Sequence, residues 1–328
     1  MILAGDIGGT KTRLAFFETK GERPKPVVEE TFPSQEHKGL GEIVRKFVLA
    51  HGMPIEYACF GVAGPVRHGR CETPNLVWVV DARQLATQLA LERVELINDL
   101  EAHAYGIALL EPQDFVTLNN GEPDASGSAA LISAGTGLGE AGLYWQGNHY
   151  QPFPSEGGHA DFAPRNELEA QLLLYLRNQY GHVSYERVLS GPGLQNIYRF
   201  LRDTGRGEEP AWLADEMRQE DPSPVISQAA LQGRSELCAQ ALDLFVSTYG
   251  AEAGNLALKL MATGGVFVGG GIAPKIISKL KDSTFMNAFL AKGRMKSLLE
   301  AIPVRVILND QTALLGAARC ATLTLPDP

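Results

Sequence analysis

Three glycine-bearing loops and a few polar residues at the ends of apolar runs are the parts of this sequence equipped for chemistry. Gly5-Asp6-Ile7-Gly8-Gly9-Thr10 follows the apolar run Ile2-Leu3-Ala4, and Thr12 to Phe17 again reads as extended. Ala134-Gly135-Thr136-Gly137-Leu138-Gly139 repeats that arrangement between Ala129–Ser133 and Ala141–Trp145. Strand, glycine turn and strand thus occur twice. Glycine lets backbone N–H groups approach an anion unobstructed, and Thr10 and Thr136 add hydroxyl donors, so the pair suits the phosphates of a nucleotide. A single such loop would be only a hairpin turn. A third, Val268-Gly269-Gly270-Gly271-Ile272-Ala273-Pro274, follows Val266-Phe267-Val268 and precedes a helix, where Gly270 and Gly271 offer bare backbone to a flat purine or sugar. GxxxxGK[ST] does not occur, and the GxGxxG spacing Gly137-Leu138-Gly139-Glu140-Ala141-Gly142 runs into the apolar 141–145 strand where a dinucleotide fingerprint would open a helix.

Asp6 ends the first strand. Beside two phosphate loops its carboxylate can hold Mg²⁺ through water; its other reading is a turn cap. Asn98 and Asp99 stand where the apolar strand expected near 94–97 becomes a helix, a strand end from which side chains reach α/β ligand sites. Asp99 reads equally as a helix N-cap and as the carboxylate that accepts a hydroxyl proton during phosphoryl transfer. Glu156-Gly157-Gly158-His159 places a carboxylate and an imidazole around two glycines. With Asn75 and Asn98 they match the donor and acceptor pattern of a polyol. Glu186, beside the Ser190-Gly191-Pro192-Gly193 turn, is by local pattern an ordinary surface acid next to Arg187.

The elements that must position these residues alternate between strand and helix. Strands are expected near 57–62 and 94–97, helices near 40–51, 82–91 and 99–109, and longer helices over Glu167–Tyr180 and about Ser235–Met261. The stretch Thr204–Pro224, dense in charge, proline and glycine, reads as a surface excursion. A strand at 304–308 and a small-residue helix at 312–323 are expected to return to the first domain. The resulting division is a small α/β domain of residues 1–109 plus 300–328 and a large one of 110–299, with a cleft between them. The 328 residues suit about two domains. A net charge of −9 removes the electrostatic footprint of a nucleic-acid binder. No apolar run reaches membrane-spanning length and no secretory leader is apparent, so a cytoplasmic protein is expected. Cys59, Cys71, Cys238 and Cys320 are far apart and read as reduced thiols.

Taken in order, Gly5–Thr12, Thr73-Pro74-Asn75-Leu76-Val77-Trp78, Asn98-Asp99, Ala134–Gly139, Glu156–Pro164, Glu186–Leu194, Lys292-Gly293-Arg294 and Ile302-Pro303-Val304 resemble the bacterial glucokinase family over nearly the whole chain. The resemblance implies the two-domain actin-like ATPase (ribonuclease H-like) fold, a homodimer, and transfer of phosphate from ATP with Mg²⁺ to glucose at the head of glycolysis. It makes Asp99 the base on the 6-hydroxyl and gives the other hydroxyls to Asn75, Asn98, Glu156, His159 and Glu186. It gives the phosphates to Gly5, Asp6, Ile7, Gly8, Gly9, Thr10, Gly135, Thr136 and Gly137. A related group of repressors and sugar kinases (ROK) shares the first loop and the Glu-x-Gly-His motif but carries a cysteine-rich zinc motif after it. Here no cysteine lies between Cys71 and Cys238, which places the chain with the zinc-free kinases, and its start at the first strand leaves no room for a helix-turn-helix. An actin-like filament or chaperone would share the phosphate loops without the sugar cradle, and a sugar sensor would keep the cradle and could lose Asp99.

Overall fold

A computed structural model describes residues 1–18, 23–73 and 76–323. The chain forms two compact units, Met1–Pro112 with His149–Pro154 and the chain from Asn309 onward, and Gln113–Asn148 with Ser155–Leu308.

The first unit is built on β1 (Ile2–Ile7), β2 (Lys11–Phe17), β3 (Pro26–Pro33), β4 (Tyr57–Val62) and β8 (Glu95–Asn98), in the order β3-β2-β1-β4-β8. β5 (Val66–Arg67), β6 (Arg70–Glu72) and β7 (Val79–Asp81) make a small separate sheet. β1, β4 and β8 run parallel, and β1 is antiparallel to β2. Their apolar runs are nearly continuous because both faces of the sheet are covered. Leu3, Ile7, Leu14, Phe16 and Phe60 pack with Ile43, Val44 and Phe47 of α1 (Leu40–His51) on one face. On the other, Ile2, Ala4, Ala15, Phe17 and Cys59 pack with Leu314, Ala317, Ala318 and Ala321 of α12 (Thr312–Leu323). The alternation of Leu3 with Ile2 and Ala4 is the period-two signature of a strand sorted between two cores. α2 (Ala82–Leu89), capped by Asp81, lies on the α1 side.

α3 (Asp99–Ile107) starts directly from β8 and crosses α12 at backbone contact. A Cβ on Gly316 would sit 1.7 Å from the Ala102 carbonyl oxygen, and one on Gly106 would sit 1.9 Å from that of Thr312. Both obstacles are backbone, so the helices would have to separate. Gly316→Ala is therefore expected to destabilise the protein by about 3 kcal/mol, at the upper end of overpacking costs. Thermal unfolding checks this, and an unchanged melting temperature would contradict the close crossing.

In the second unit, β9 (Phe115–Asn119), β10 (Ala129–Ala134), β11 (Leu138–Trp145), β13 (Gly265–Gly269) and β14 (Val304–Ile307) include the run β11-β10-β13-β14-β9, with β12 (Tyr150–Ser155) following β11 in the chain. β10, β13 and β14 are parallel. The strand expected at 304–308 therefore belongs to this sheet, and the chain rejoins the first unit at Asn309. α4 (Glu167–Tyr180), α5 (Gly191–Asp203) and the 25-residue α8 (Glu236–Leu260) pack around a large core.

The stretch Thr204–Pro224 departs from its reading as a surface excursion. It holds α6 (Ala211–Gln219) and the start of α7 (Pro222–Leu231), and Leu213 is fully buried. Its prolines are helix-start residues: Pro210 is the residue before α6, and Pro222, behind the Asp221 cap, opens α7. α9 (Ile277–Leu280), α10 (Ser283–Leu290) and α11 (Lys296–Glu300) complete the unit. All four cysteines are free and buried, in keeping with reduced thiols.

Candidate active site

In each unit the residues singled out by the sequence gather at the carboxyl ends of parallel strands, the usual ligand position of α/β sheets. In the first unit these ends belong to β1, β4 and β8. β1 runs into the turn Gly8-Gly9-Thr10, which Gly8 N–H closes by donating to the Lys11 carbonyl (2.9 Å). Ser34 braces the turn from β3's end: its hydroxyl donates to the Gly8 carbonyl (2.8 Å), and its N–H donates to that of Thr10 (3.0 Å). The Gly8 N–H is thus spent inside the turn, and Gly9 and Thr10 are the open part of it. Gly5 and Ile7 are buried in the strand, between β2 and β4. Of residues 5–10, the ones able to face a ligand are Asp6 and Gly8 to Thr10.

Asp6 makes no turn-capping hydrogen bond among the described residues. Its carboxyl is pushed up to about 6 by burial, with Arg13 opposing the shift and Asp310 adding to it. Arg13 is committed elsewhere, donating to the Asp310 carboxylate (2.7 Å) and carbonyl (2.9 Å). A desolvated carboxylate whose nearest cation is already paired gains from a further positive charge. The described residues contain no group of three or more His, Cys, Asp or Glu side chains that would cage a metal. One hard oxygen donor with no cage fits Mg²⁺ held through water and by substrate phosphates.

Asn98 ends β8 and is the N-cap of α3: its Oδ1 accepts the Leu100 N–H (2.9 Å), and its Nδ2 donates to the Gly64 carbonyl (3.0 Å). Asp99 is consequently the first helical residue and not the cap, although its Oδ1 also lies 2.9 Å from the Leu100 N–H. It is half-buried, and Gly61 of β4 admits the first turn of α3, since a Cβ there would stand 2.6 Å from the Ala102 Cβ. Asp99 thus stands at the end of β8, with β4 between it and β1. Asn75 lies outside the described residues.

In the second unit three loops converge at the ends of β10 and β13. Gly135 N–H donates to the Gly137 carbonyl (2.8 Å), closing the turn, and Gly191 N–H at the start of α5 donates to the Gly135 carbonyl (2.8 Å). As at Gly8, the first glycine's N–H is used internally, and the exposed Thr136 forms the tip. Gly270 sits at φ +84, where a Cβ would be 2.3 Å from the Ala134 carbonyl, so glycine is required there on both counts. Gly271 is exposed with open space around it. From below, the Tyr249 hydroxyl of α8 accepts the Ala134 N–H (3.2 Å) and lies 3.3 Å from the Gly269 carbonyl, pinning both strand ends.

Glu186, in the short 3-10 turn Tyr185–Arg187, is bound to this loop: its Oε2 accepts the Leu138 N–H (3.1 Å). Glu156 and His159 flank the 3-10 turn Gly157–His159, where His159 N–H donates to the Glu156 carbonyl (3.0 Å) and both side chains are exposed. The two turns adjoin through the Tyr185 N–H to Ala160 carbonyl bond (3.0 Å) and a bridge between Asp161 and Ser184. Glu156, His159, Glu186 and the 135–137 loop thus form one cluster.

A family model of glucokinase matches residues 3–324. The chain is 47% identical to a glucokinase of Nostoc sp. over 98% of each chain. The chain belongs to the glucokinase family. A crystal structure of a glucokinase from an Antarctic psychrotroph is 32% identical, covering 98% of this chain and 99% of that one, with a TM-score of 0.84. A ROK family glucokinase from Streptomyces griseus, in complex with glucose and AMPPNP, shares the fold at 20% identity, 98% and 99% coverage and a TM-score of 0.66. The glucokinase family is one of ATP-dependent hexose kinases, and its actin-like ATPase fold is the architecture of this chain. No helix among the described residues is long and apolar enough to cross a membrane.

Sequence reasoning missed two features of the site. One is the Arg13–Asp310 pair beside Asp6, although Leu308-Asn309-Asp310 ends a strand and precedes a helix just as Ile97-Asn98-Asp99 does. The other is Glu140, a charged residue inside the apolar β11 run.

Proposed function

We propose that this chain transfers the γ-phosphoryl group of ATP to the 6-hydroxyl of glucose, giving glucose 6-phosphate and ADP at the head of glycolysis, in the cytoplasm and as a homodimer. The observation that carries the reading is the placement of Asn98 and Asp99 in a member of the glucokinase family: Asn98 takes the capping role, and Asp99 opens α3 at the carboxyl end of β8, in the sheet whose β1 leads into the first glycine turn. As the sugar O6 attacks the γ-phosphorus and the bond to the β-phosphate oxygen breaks, Asp99 accepts the hydroxyl proton. Gly8–Thr10 and Gly135–Gly137 take the phosphates with their remaining N–H groups and hydroxyls, and Gly270 and Gly271 give the adenosine bare backbone. Asp6 would hold Mg²⁺ through water, and the ion would supply charge neutralisation on the phosphates. Asn75, Asn98, Glu156, His159 and Glu186 orient the sugar hydroxyls; Glu186 has its Oε1 for this, since Oε2 already accepts from Leu138.

The test crosses glucose, mannose, fructose and glucosamine with ATP, ADP and polyphosphate in a coupled assay, with sedimentation in parallel. Turnover on glucose with ATP by a dimer is the expected result. Glucose binding without turnover would make the chain a sensor, and ATP-dependent polymer would make it a filament protein.

A further inference from the structure

Glu140 of β11 is 1% exposed, and its Oε1 has no hydrogen-bond partner among the described residues. Its other oxygen is pressed against the turn that carries Glu156 and His159: a Cβ on Gly157 would lie 2.1 Å from Glu140 Oε2. The Gly157 N–H does not serve that oxygen, since it is given to the Ser155 hydroxyl (2.9 Å). From α8, Glu252, Lys259 and Tyr249 act electrostatically with Glu140. Glu252 is fully buried and takes the cationic and amide donors for itself, from Lys259 Nζ (3.2 Å) and Asn255 Nδ2 (2.7 Å). Lys292 is bound to Asn255 and the Ala251 carbonyl. Glu140 is therefore a buried acid facing a second acid, with no cation of its own. Burial and Glu252 push its carboxyl up to about 7, Lys259 opposing, so it is neutral in weak acid and ionises around neutrality.

We propose that Glu140 is a positioning residue for the hexose: its neutral carboxyl seats the Gly157–His159 turn in the sugar-holding position, and its ionisation loosens that turn. This rests on the hexose-binding reading of Glu156 and His159. A buried anion without a donor draws water or N–H groups toward itself. Of the elements packed on Glu140, the turn is the one that can yield, since it is exposed on its outer side whereas α8 is held in the core.

Initial rates with glucose and with ATP varied separately, and calorimetric glucose binding without ATP, are measured from pH 6 to 8.5. In the unsubstituted protein, glucose KM and Kd are expected to rise by about fivefold across the range while ATP KM stays level. Glu140→Gln keeps the shape and cannot ionise, so it should hold the low-pH glucose affinity throughout. The two proteins differ at this one side chain, so the difference in pH profile isolates Glu140. A Glu140→Gln protein with the unsubstituted pH profile overturns the proposal. Packing is checked independently: Gly157→Ala should raise glucose KM, and Glu140→Ala in that background should restore much of it. A double variant no better than Gly157→Ala alone also overturns the proposal. Failure of the unsubstituted protein to bind or phosphorylate glucose would instead sink the hexose reading on which this depends.

Discussion

Asp99→Ala is expected to lower kcat for glucose phosphorylation by about 10²–10⁴-fold, the range general-base catalysis supplies. Calorimetric glucose affinity should fall far less, because the sugar keeps its other hydrogen bonds. The structure makes this a clean substitution. Asn98, not Asp99, caps α3, so removing the Asp99 carboxylate leaves the Asn98 Oδ1 to Leu100 N–H bond in place and the helix start intact. Asp99→Asn should be nearly as inactive, since an amide keeps the volume and cannot take the proton. A variant turning over at near the normal rate would remove Asp99 from the role of base.

Glu156→Ala and His159→Ala should each raise glucose KM by about 10–100-fold, the cost of leaving a sugar hydroxyl without its hydrogen-bond partner. Some fall in kcat accompanies it, because a sugar held by fewer contacts spends less time aligned for attack. Both side chains are exposed and bear no visible structural load, so stability should hardly change. ATP KM should also be unaffected. An equal loss of nucleotide affinity would place these residues on the other substrate.

Much of this fold is legible in the sequence because its strands and helices are strongly periodic. The runs at 2–7, 57–62 and 129–134 are apolar enough to identify doubly covered strands, and α1, α4 and α12 begin and end where their patterns do. The α6–α7 region was illegible as helix because charge and proline were weighed as loop composition, whereas at the first turn proline removes an N–H that has no partner anyway. The site is legible in type and order, from glycines at strand ends and polar pairs where strands become helices. Hydrogen-bond allocation is another matter. Which of Asn98 and Asp99 caps the helix, or that Gly8 and Gly135 spend their N–H groups inside their own turns, depends on atomic placement that local composition does not encode. Glu140 carries no such local signal: a charge in β11 acquires meaning only where Gly157 and Glu252 close around it.

The first unit draws its covering helix from the far end of the polypeptide. α12 lies on β1, β2 and β4, yet it is made long after them. At synthesis rates of about 5–20 residues per second, roughly 12–60 s separate the emergence of those strands from that of their cover. During that interval Ile2, Ala4 and Phe17 present an apolar surface with nothing on it, while the residues from Gln113 to Leu308 already have all they need to close their own core. Vectorial synthesis thus completes the later unit before the earlier one, and a nascent chain halted just short of Asn309 is the species a trigger-type holdase would be expected to retain.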